Sequence, residues 1–263
     1  MKHKVTYSIT AAQINAQYRL TIDGLLTFHE STVAHYFTSL GIAAFDVQKE
    51  DKTWVVSEIN LEMPGPPTMW SEDVEVTVWF SEISPLRAWV EFEAREVHSG
   101  LLTARGNSCW SLISMSERKL VTCQGYIPES ELVPELAAGQ HRKRGIMKYA
   151  DDPVSTLEHT INLIDLDFNG HTNNRRYVQM ALVSFAPEFL KENRPDFLNI
   201  RFVRESRIGD HLTCSTHSTD DPQAFVGRIQ NDSGEEICRV SSHWRPKEPL
   251  PDIAKVNLVR NPE

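Results

Sequence analysis

The sequence predicts an α+β fold built as two tandem halves, each a helix followed by a run of antiparallel strands. Three observations carry this reading. The first is a repeat of landmarks at offsets of 134 to 137 residues. The alternating strand Glu72-Asp73-Val74-Glu75-Val76-Thr77-Val78 answers to Gly209-Asp210-His211-Leu212-Thr213-Cys214, and Ala88-Trp89-Val90 to Ala224-Phe225-Val226. The turn Ser99-Gly100 answers to Ser233-Gly234, and Ser108-Cys109-Trp110 to Ser242-His243-Trp244. Four landmarks in one order, with matching turn chemistry, favour a duplication over coincidence. The second observation is one helical pattern upstream of each set of strands. The third is the breadth of the first helix's apolar surface, where Leu25, Leu26, Phe28, Val33, Tyr36 and Phe37 cover more than one narrow stripe. A helix enclosed by a sheet needs that breadth. A curled antiparallel sheet wrapped around a long helix is the hot-dog fold, and the chain reads as a tandem (double) hot-dog, its two sheets paired side by side with an apolar tunnel between them.

The elements follow in order. The first helix starts at Asp23, a good cap, continues through Leu26, His29, Val33, Tyr36, Phe37 and Leu40 at three-and-four spacing, and stops at Gly41. A strand covers Trp54 to Met63, the run Pro64-Gly65-Pro66-Pro67 forces a bend, and the strands of the repeat complete the first half. Residues 116–153 read as a polar connector with Pro128 and Pro134 and some helix around Glu129 to Ala138. The second helix runs from Arg175 to Leu190, where Tyr177, Ala181, Phe185 and Phe189 recur every four residues, and Pro187 ends or kinks it. The expected division is 1–115 for the first hot-dog half, 116–153 for the connector, 154–250 for the second half and 251–263 for a tail.

Composition narrows the function classes. The 263 residues are 40% hydrophobic and 24% charged, ordinary globular values, and no apolar run reaches the roughly 18 residues of a membrane helix. The start, Met1-Lys2-His3-Lys4-Val5-Thr6-Tyr7, lacks the apolar core of a secretory signal. Cys109, Cys123, Cys214 and Cys238 show no C-x-x-C pair or metal-ligand spacing and read as reduced thiols of a cytoplasmic protein. A net charge of −9 argues against nucleic acid as partner. Basic islands at His141-Arg142-Lys143-Arg144, at Arg175-Arg176 and at Arg201, Arg204 and Arg207 suit an acidic partner. His29, His35, His159, His211, His217 and His243 have no companion carboxylates at ligand spacing, so neither metal nor cofactor is expected.

Chemistry concentrates in Asp167-Phe168-Asn169-Gly170-His171-Thr172-Asn173-Asn174, immediately before the second helix. Asp167, Asn169 and His171 supply a carboxylate, an amide and an imidazole at alternate positions, so in an extended loop all three point to one side. The Asn pair is a natural cap, and the free N–H groups and dipole of the helix start would stabilise an oxyanion. The alternative is a tight Asp-x-Asn-Gly turn held by side-chain hydrogen bonds.

Asp-x-Asn-x-His-x-Asn-Asn followed by Tyr177 resembles the signature of the acyl-acyl carrier protein thioesterases, the plant and bacterial fatty-acyl chain terminators. Arg204-Glu205-Ser206 resembles that family's Arg-Glu-Cys segment, and Trp70 to Trp79 its Trp-Gly-Asp-x-Val-x-Val-x-Thr-Trp stretch. The likeness runs from about Tyr7 to Pro246. It implies a thioester hydrolase that releases free fatty acid from acyl carrier protein, terminating fatty acid synthesis, with Asp167, Asn169, His171 and Glu205 as the catalytic set. Ser206, Asn173 and Asn174 would support it, and Arg175, Arg176, Arg204 and Arg207 would dock the carrier protein; a homodimer fits the fold. Ser206 stands where plant members usually have Cys, so no thiol nucleophile is available there. The first half reads Tyr18-Arg19-Leu20-Thr21-Ile22-Asp23-Gly24 in the equivalent region, leaving its helix and the strand from Trp54 to Met63 to determine chain length. An acyl-coenzyme A thioesterase and a non-catalytic acyl-binding sensor are the competing readings.

Overall fold

The computed structural model describes residues 1–137 and 147–249. The chain divides into two compact units, with residues 1–56 and 61–137 in the first and residues 57–60 and 147–247 in the second.

In the first unit, β1 (His3–Ser8) leads to α1 (Ile22–Ser39), the short α2 (Ala44–Val47) and strands β2 (Lys52–Glu62), β3 (Asp73–Ser84), β4 (Arg87–Glu96), β5 (Leu102–Ser114) and β6 (Lys119–Val121). The order across the sheet is β1-β3-β4-β5-β2, with β6 added to β5. The cap of α1 is Thr21, whose hydroxyl accepts from Gly24 N–H at 3.1 Å; Asp23 lies in the first turn instead, where its charge favours the helix dipole. Gly41, at φ 69°, ends the helix by adopting a left-handed conformation. The sides of α1 are buried broadly, and Phe37 packs against Trp54, Phe80 and Trp110 at ring distances of 5.2, 5.7 and 5.5 Å. Such a fully buried ring stabilises the fold by about 1.5–3 kcal/mol. His29 is fully buried against Phe92, and burial lowers its pKa to about 4, so it stays neutral in the core.

The segment after β5 lies against this unit. Cys123 N–H donates to Pro85 O at 2.8 Å, Val133 N–H to Phe80 O at 2.8 Å, and Ala137 N–H to the buried Glu91 carboxylate at 3.1 Å. The helix expected from Glu129 is only a 3-10 turn, Glu129–Glu131. Backbone bonds to the sheet take the place of helical ones beyond it.

In the second unit, β7 (Ser155–Thr160) precedes α3 (Asn174–Val183), α4 (Pro187–Glu192), β8 (Asn193–Phe202), β9 (His211–Ser218), β10 (Ala224–Asn231) and β11 (Glu236–Pro246). The strand order is β8-β11-β10-β9-β7. Pro187 divides the expected single helix, because its ring and missing N–H suit a first helical turn and not a helix interior. Phe185 and Phe189 nevertheless remain stacked at 5.1 Å across the break and pack on Trp244 at 4.7 and 5.0 Å. Gly227 of β10 lets α3 approach, since a Cβ there would sit 3.3 Å from the Ala181 methyl.

The duplication is visible in individual bonds. Trp110 Nε1–H donates to Ser108 Oγ at 2.8 Å, and Trp244 Nε1–H to Ser242 Oγ at 2.9 Å. Gly100 and Gly234, at φ 71° and 76°, make the corresponding turns. No helix among the described residues is long and apolar enough to cross a membrane.

Candidate active site

The residues singled out in the sequence lie in the second unit, on the loop entering α3 and on the loop leaving β8. The entering loop is a tight turn and not an extended strand. Asp167 Oδ1 accepts from the N–H groups of Asn169 and His171 at 2.8 and 3.2 Å, and Asp167 N–H donates to His171 O at 2.7 Å. Gly170, at φ 75°, supplies the left-handed residue that closes the turn. The turn therefore puts Asp167 beneath the backbone, leaves Asn169 exposed and half-buries His171. Asn173 caps α3, its side chain accepting from Arg175 N–H at 2.9 Å, and Asn174 is the first helical residue.

The second loop docks through Ser206, which is 1% exposed. Its carbonyl accepts from Thr172 N–H at 2.9 Å, its N–H donates to the Tyr177 oxygen at 3.0 Å, and its hydroxyl lies 2.7 Å from Thr172 Oγ1 and 2.8 Å from Tyr177 Oη. Burial pushes the Tyr177 phenol up, partly countered by the hydrogen bonds from Ser206 and Thr172, so it remains a neutral hydroxyl. With Ser206 fixed, its neighbour Glu205 meets the imidazole: His171 Nε2 and Glu205 Oε1 are 3.4 Å apart. Arg207 Nη2 lies 3.0 Å from the same carboxylate oxygen and 3.3 Å from His171 Nε2. Imidazole, carboxylate and guanidinium thus form one half-exposed group at the start of a helix.

Asp165 is a further member that the sequence reading did not pick out. It is 4% exposed; its carboxylate accepts from Asn162 N–H at 3.0 Å, lies 2.8 Å from His159 Nε2 and 3.5 Å from Arg176 Nε, while its carbonyl accepts from Asn173 N–H at 2.7 Å. Burial acts to raise its pKa, but the Asn162 N–H, His159 and Arg176 together hold it below the ordinary carboxylate range. A depressed folded-state pKa contributes stability that is present above the unfolded value near 3.9 and disappears as pH falls through the folded one. Thermal unfolding of Asp165→Asn followed from roughly pH 7 to roughly pH 3 should show a gap from the parent that closes toward the acid end. A constant gap would deny the carboxylate this role.

The fold also brings carboxylates to histidines that lack them at ligand spacing in the sequence: His159 meets Asp165, His211 meets Asp232 at 2.8 Å, and His243 meets Asp196 at 2.7 Å. Among the described residues no three metal-ligating groups converge. Of the basic residues, Arg176 is directed inward to Asp165, Ile164 O and Gln179, whereas Arg204 pairs with Glu235 at 3.3 Å and, like Arg207, is more than half exposed. Arg175 is half-buried, and the run from His141 to Arg144 lies outside the described residues.

Known proteins resemble this chain over most of its length. The model of the acyl-ACP thioesterase N-terminal domain matches residues 1–128, and that of the C-terminal domain matches residues 149–246. A chloroplastic acyl-[acyl-carrier-protein] hydrolase of Cuphea viscosissima is 24% identical over 257 residues, covering 92% of this chain and 62% of the relative. A chloroplastic palmitoyl-acyl carrier protein thioesterase of Gossypium hirsutum is 26% identical over 270 residues, covering 92% and 63%. The chain thus spans less than two thirds of the length of these relatives. Solved structures of an acyl-ACP thioesterase from Bacteroides thetaiotaomicron (TM-score 0.82, 22% identity, 93% of this chain and 98% of that one) and of a 12:0-ACP thioesterase from Umbellularia californica (TM-score 0.82, 20% identity, 94% and 98%) share the double hot-dog fold. With both domain models matched in order along the chain, it belongs to the acyl-ACP thioesterase family.

Proposed function

We propose that the chain hydrolyses the thioester of fatty acyl-acyl carrier protein, releasing free fatty acid and carrier thiol, in the cytoplasm where carrier-bound chains are made. The observation that carries the reading is His171 Nε2 facing Glu205 Oε1 at 3.4 Å beside the start of α3, in a chain of this family. His171 takes a proton from water as its oxygen attacks the thioester carbon, and Glu205 stabilises the imidazolium that forms. The N–H groups of Asn173, Arg175 and Arg176 are already bonded, so it is the positive end of the α3 dipole that favours the developing oxyanion. Collapse of that intermediate breaks the C–S bond, and the proton held by His171 passes to the departing sulfur. Asn169, exposed on the turn, is placed to hold the water or the thioester.

The carrier protein is acidic, and Arg204, exposed and outside the His171–Glu205 pair, is the residue assigned to meet it. Thiol release is to be measured on acyl-acyl carrier protein and on the matching acyl-coenzyme A. The expected result is higher kcat/KM on the carrier-linked substrate, with Arg204→Glu raising KM about tenfold for that substrate only. Equal rates on both thioesters would favour an acyl-coenzyme A thioesterase, and binding without turnover an acyl sensor.

A further inference from the structure

The loop entering α1 repeats the loop entering α3 bond for bond. Asn15 N–H donates to Arg19 O at 2.9 Å, as Asp167 N–H does to His171 O at 2.7 Å. Tyr18 N–H donates to Asn15 O at 2.9 Å and Gly170 N–H to Asp167 O at 3.1 Å, and these two residues share the left-handed conformation, at φ 58° and 75°. Both loops close with a bridge, Ile14 with Leu20 and Leu166 with Thr172. Both are tied to a second loop, through Leu20 N–H to Thr68 O at 2.8 Å and Thr172 N–H to Ser206 O at 2.9 Å.

The side chain that organises each turn sits at the same place. Asn15 Oδ1 accepts from Gln17 and Arg19 N–H at 2.9 and 3.1 Å, as Asp167 Oδ1 accepts from Asn169 and His171 N–H at 2.8 and 3.2 Å. What differs is the chemistry on display. Arg19 takes the place of His171, and its guanidinium donates to Pro67 O at 3.0 Å where His171 faces Glu205. The first unit has thus kept the turn without the imidazole–carboxylate pair, and has kept it with a neutral amide oxygen.

We infer that Asp167 is a positioning residue, whose oxygen holds the turn that aims His171 at Glu205, and not the nucleophile or base of the reaction. Its negative charge is dispensable, because an amide oxygen makes the same two bonds in the first unit. The inference rests on the thioesterase reading above. The experiment compares kcat, KM and thermal unfolding for Asp167→Asn, Asp167→Ala and His171→Ala on acyl-acyl carrier protein. Asp167→Ala should lower kcat about 100-fold with a smaller change in KM, because a misdirected His171 is as damaging as an absent contact. Asp167→Asn should recover most of that loss, to within about tenfold of the parent. If Asp167→Asn is as inactive as His171→Ala while unfolding like the parent, the carboxylate charge takes part in the chemistry and the inference fails. If His171→Ala is itself active, the thioesterase site fails instead, so the two failures are distinguishable.

Discussion

Replacing His171 with alanine is expected to lower kcat for thioester hydrolysis by about 10²- to 10⁴-fold, the contribution of a positioned general base. His171 is held by its own N–H to Asp167 and faces Glu205 Oε1 at 3.4 Å, so the imidazole is fixed before substrate arrives. Glu205→Ala should fall in the same range, and the double variant should be little worse than either single one, because the two side chains act as one unit. KM should move far less than kcat. Both side chains are partly exposed, so unfolding temperatures should stay near the parent's. Steady-state release of thiol from acyl-acyl carrier protein reads all of this, and parent-like turnover in both single variants would move the chemistry elsewhere.

Tyr177→Phe should have the second-largest effect, and it should show in stability as well as rate. The variant keeps the ring in the core but removes the oxygen that accepts from Ser206 N–H at 3.0 Å and meets Ser206 Oγ at 2.8 Å. A backbone donor left unpaired at a site 1% exposed costs about 1–3 kcal/mol. Glu205 is the adjacent residue, so the loss should also lower kcat by about tenfold or more as the carboxylate leaves its place opposite His171. Chemical denaturation gives the stability term, and a cycle with Ser206→Ala gives the coupling. Additive effects in that cycle would show that Tyr177 and Ser206 do not form one clamp.

Much of this organisation is legible in the sequence because it is periodic or local. The alternation in Glu72 to Val78 and the recurring Ser-x-Trp are strand and core signals that every copy of the fold needs, and the helix of the first half is marked by its breadth of apolar residues. The loop repeat is harder to see. Asn15 and Asp167 stand 152 positions apart, whereas the strand landmarks recur at 134 to 137, mainly because the stretch from the helix start to the next strand is longer in the first half (Ile22 to Lys52) than in the second (Asn174 to Asn193). With the helix start expected at Asp23, the stretch from Tyr18 to Gly24 is the one set against the motif, and Asn15 is passed over. The clamp is hidden for another reason: Thr172, Tyr177 and Ser206 meet only once the chain is folded, and a buried serine and a surface serine look alike in sequence. The expected extended loop gave way to a turn because Gly170 permits a left-handed residue and Asp167 has two N–H groups to satisfy.

The buried cysteines have a practical consequence. All four are buried and none is in a disulfide, and burial pushes the Cys214 thiol up to about 12 and raises those of Cys123 and Cys238. Thiolate, the form that reacts with a chromogenic disulfide, is therefore scarce in the folded protein at neutral pH. Such a reagent will colour with the product sulfur and not with the catalyst, so the released thiol can be followed continuously without a protein blank. The same silence makes position 168, where Phe168 is 78% exposed on the turn, a clean place for a single introduced cysteine carrying a spectroscopic probe.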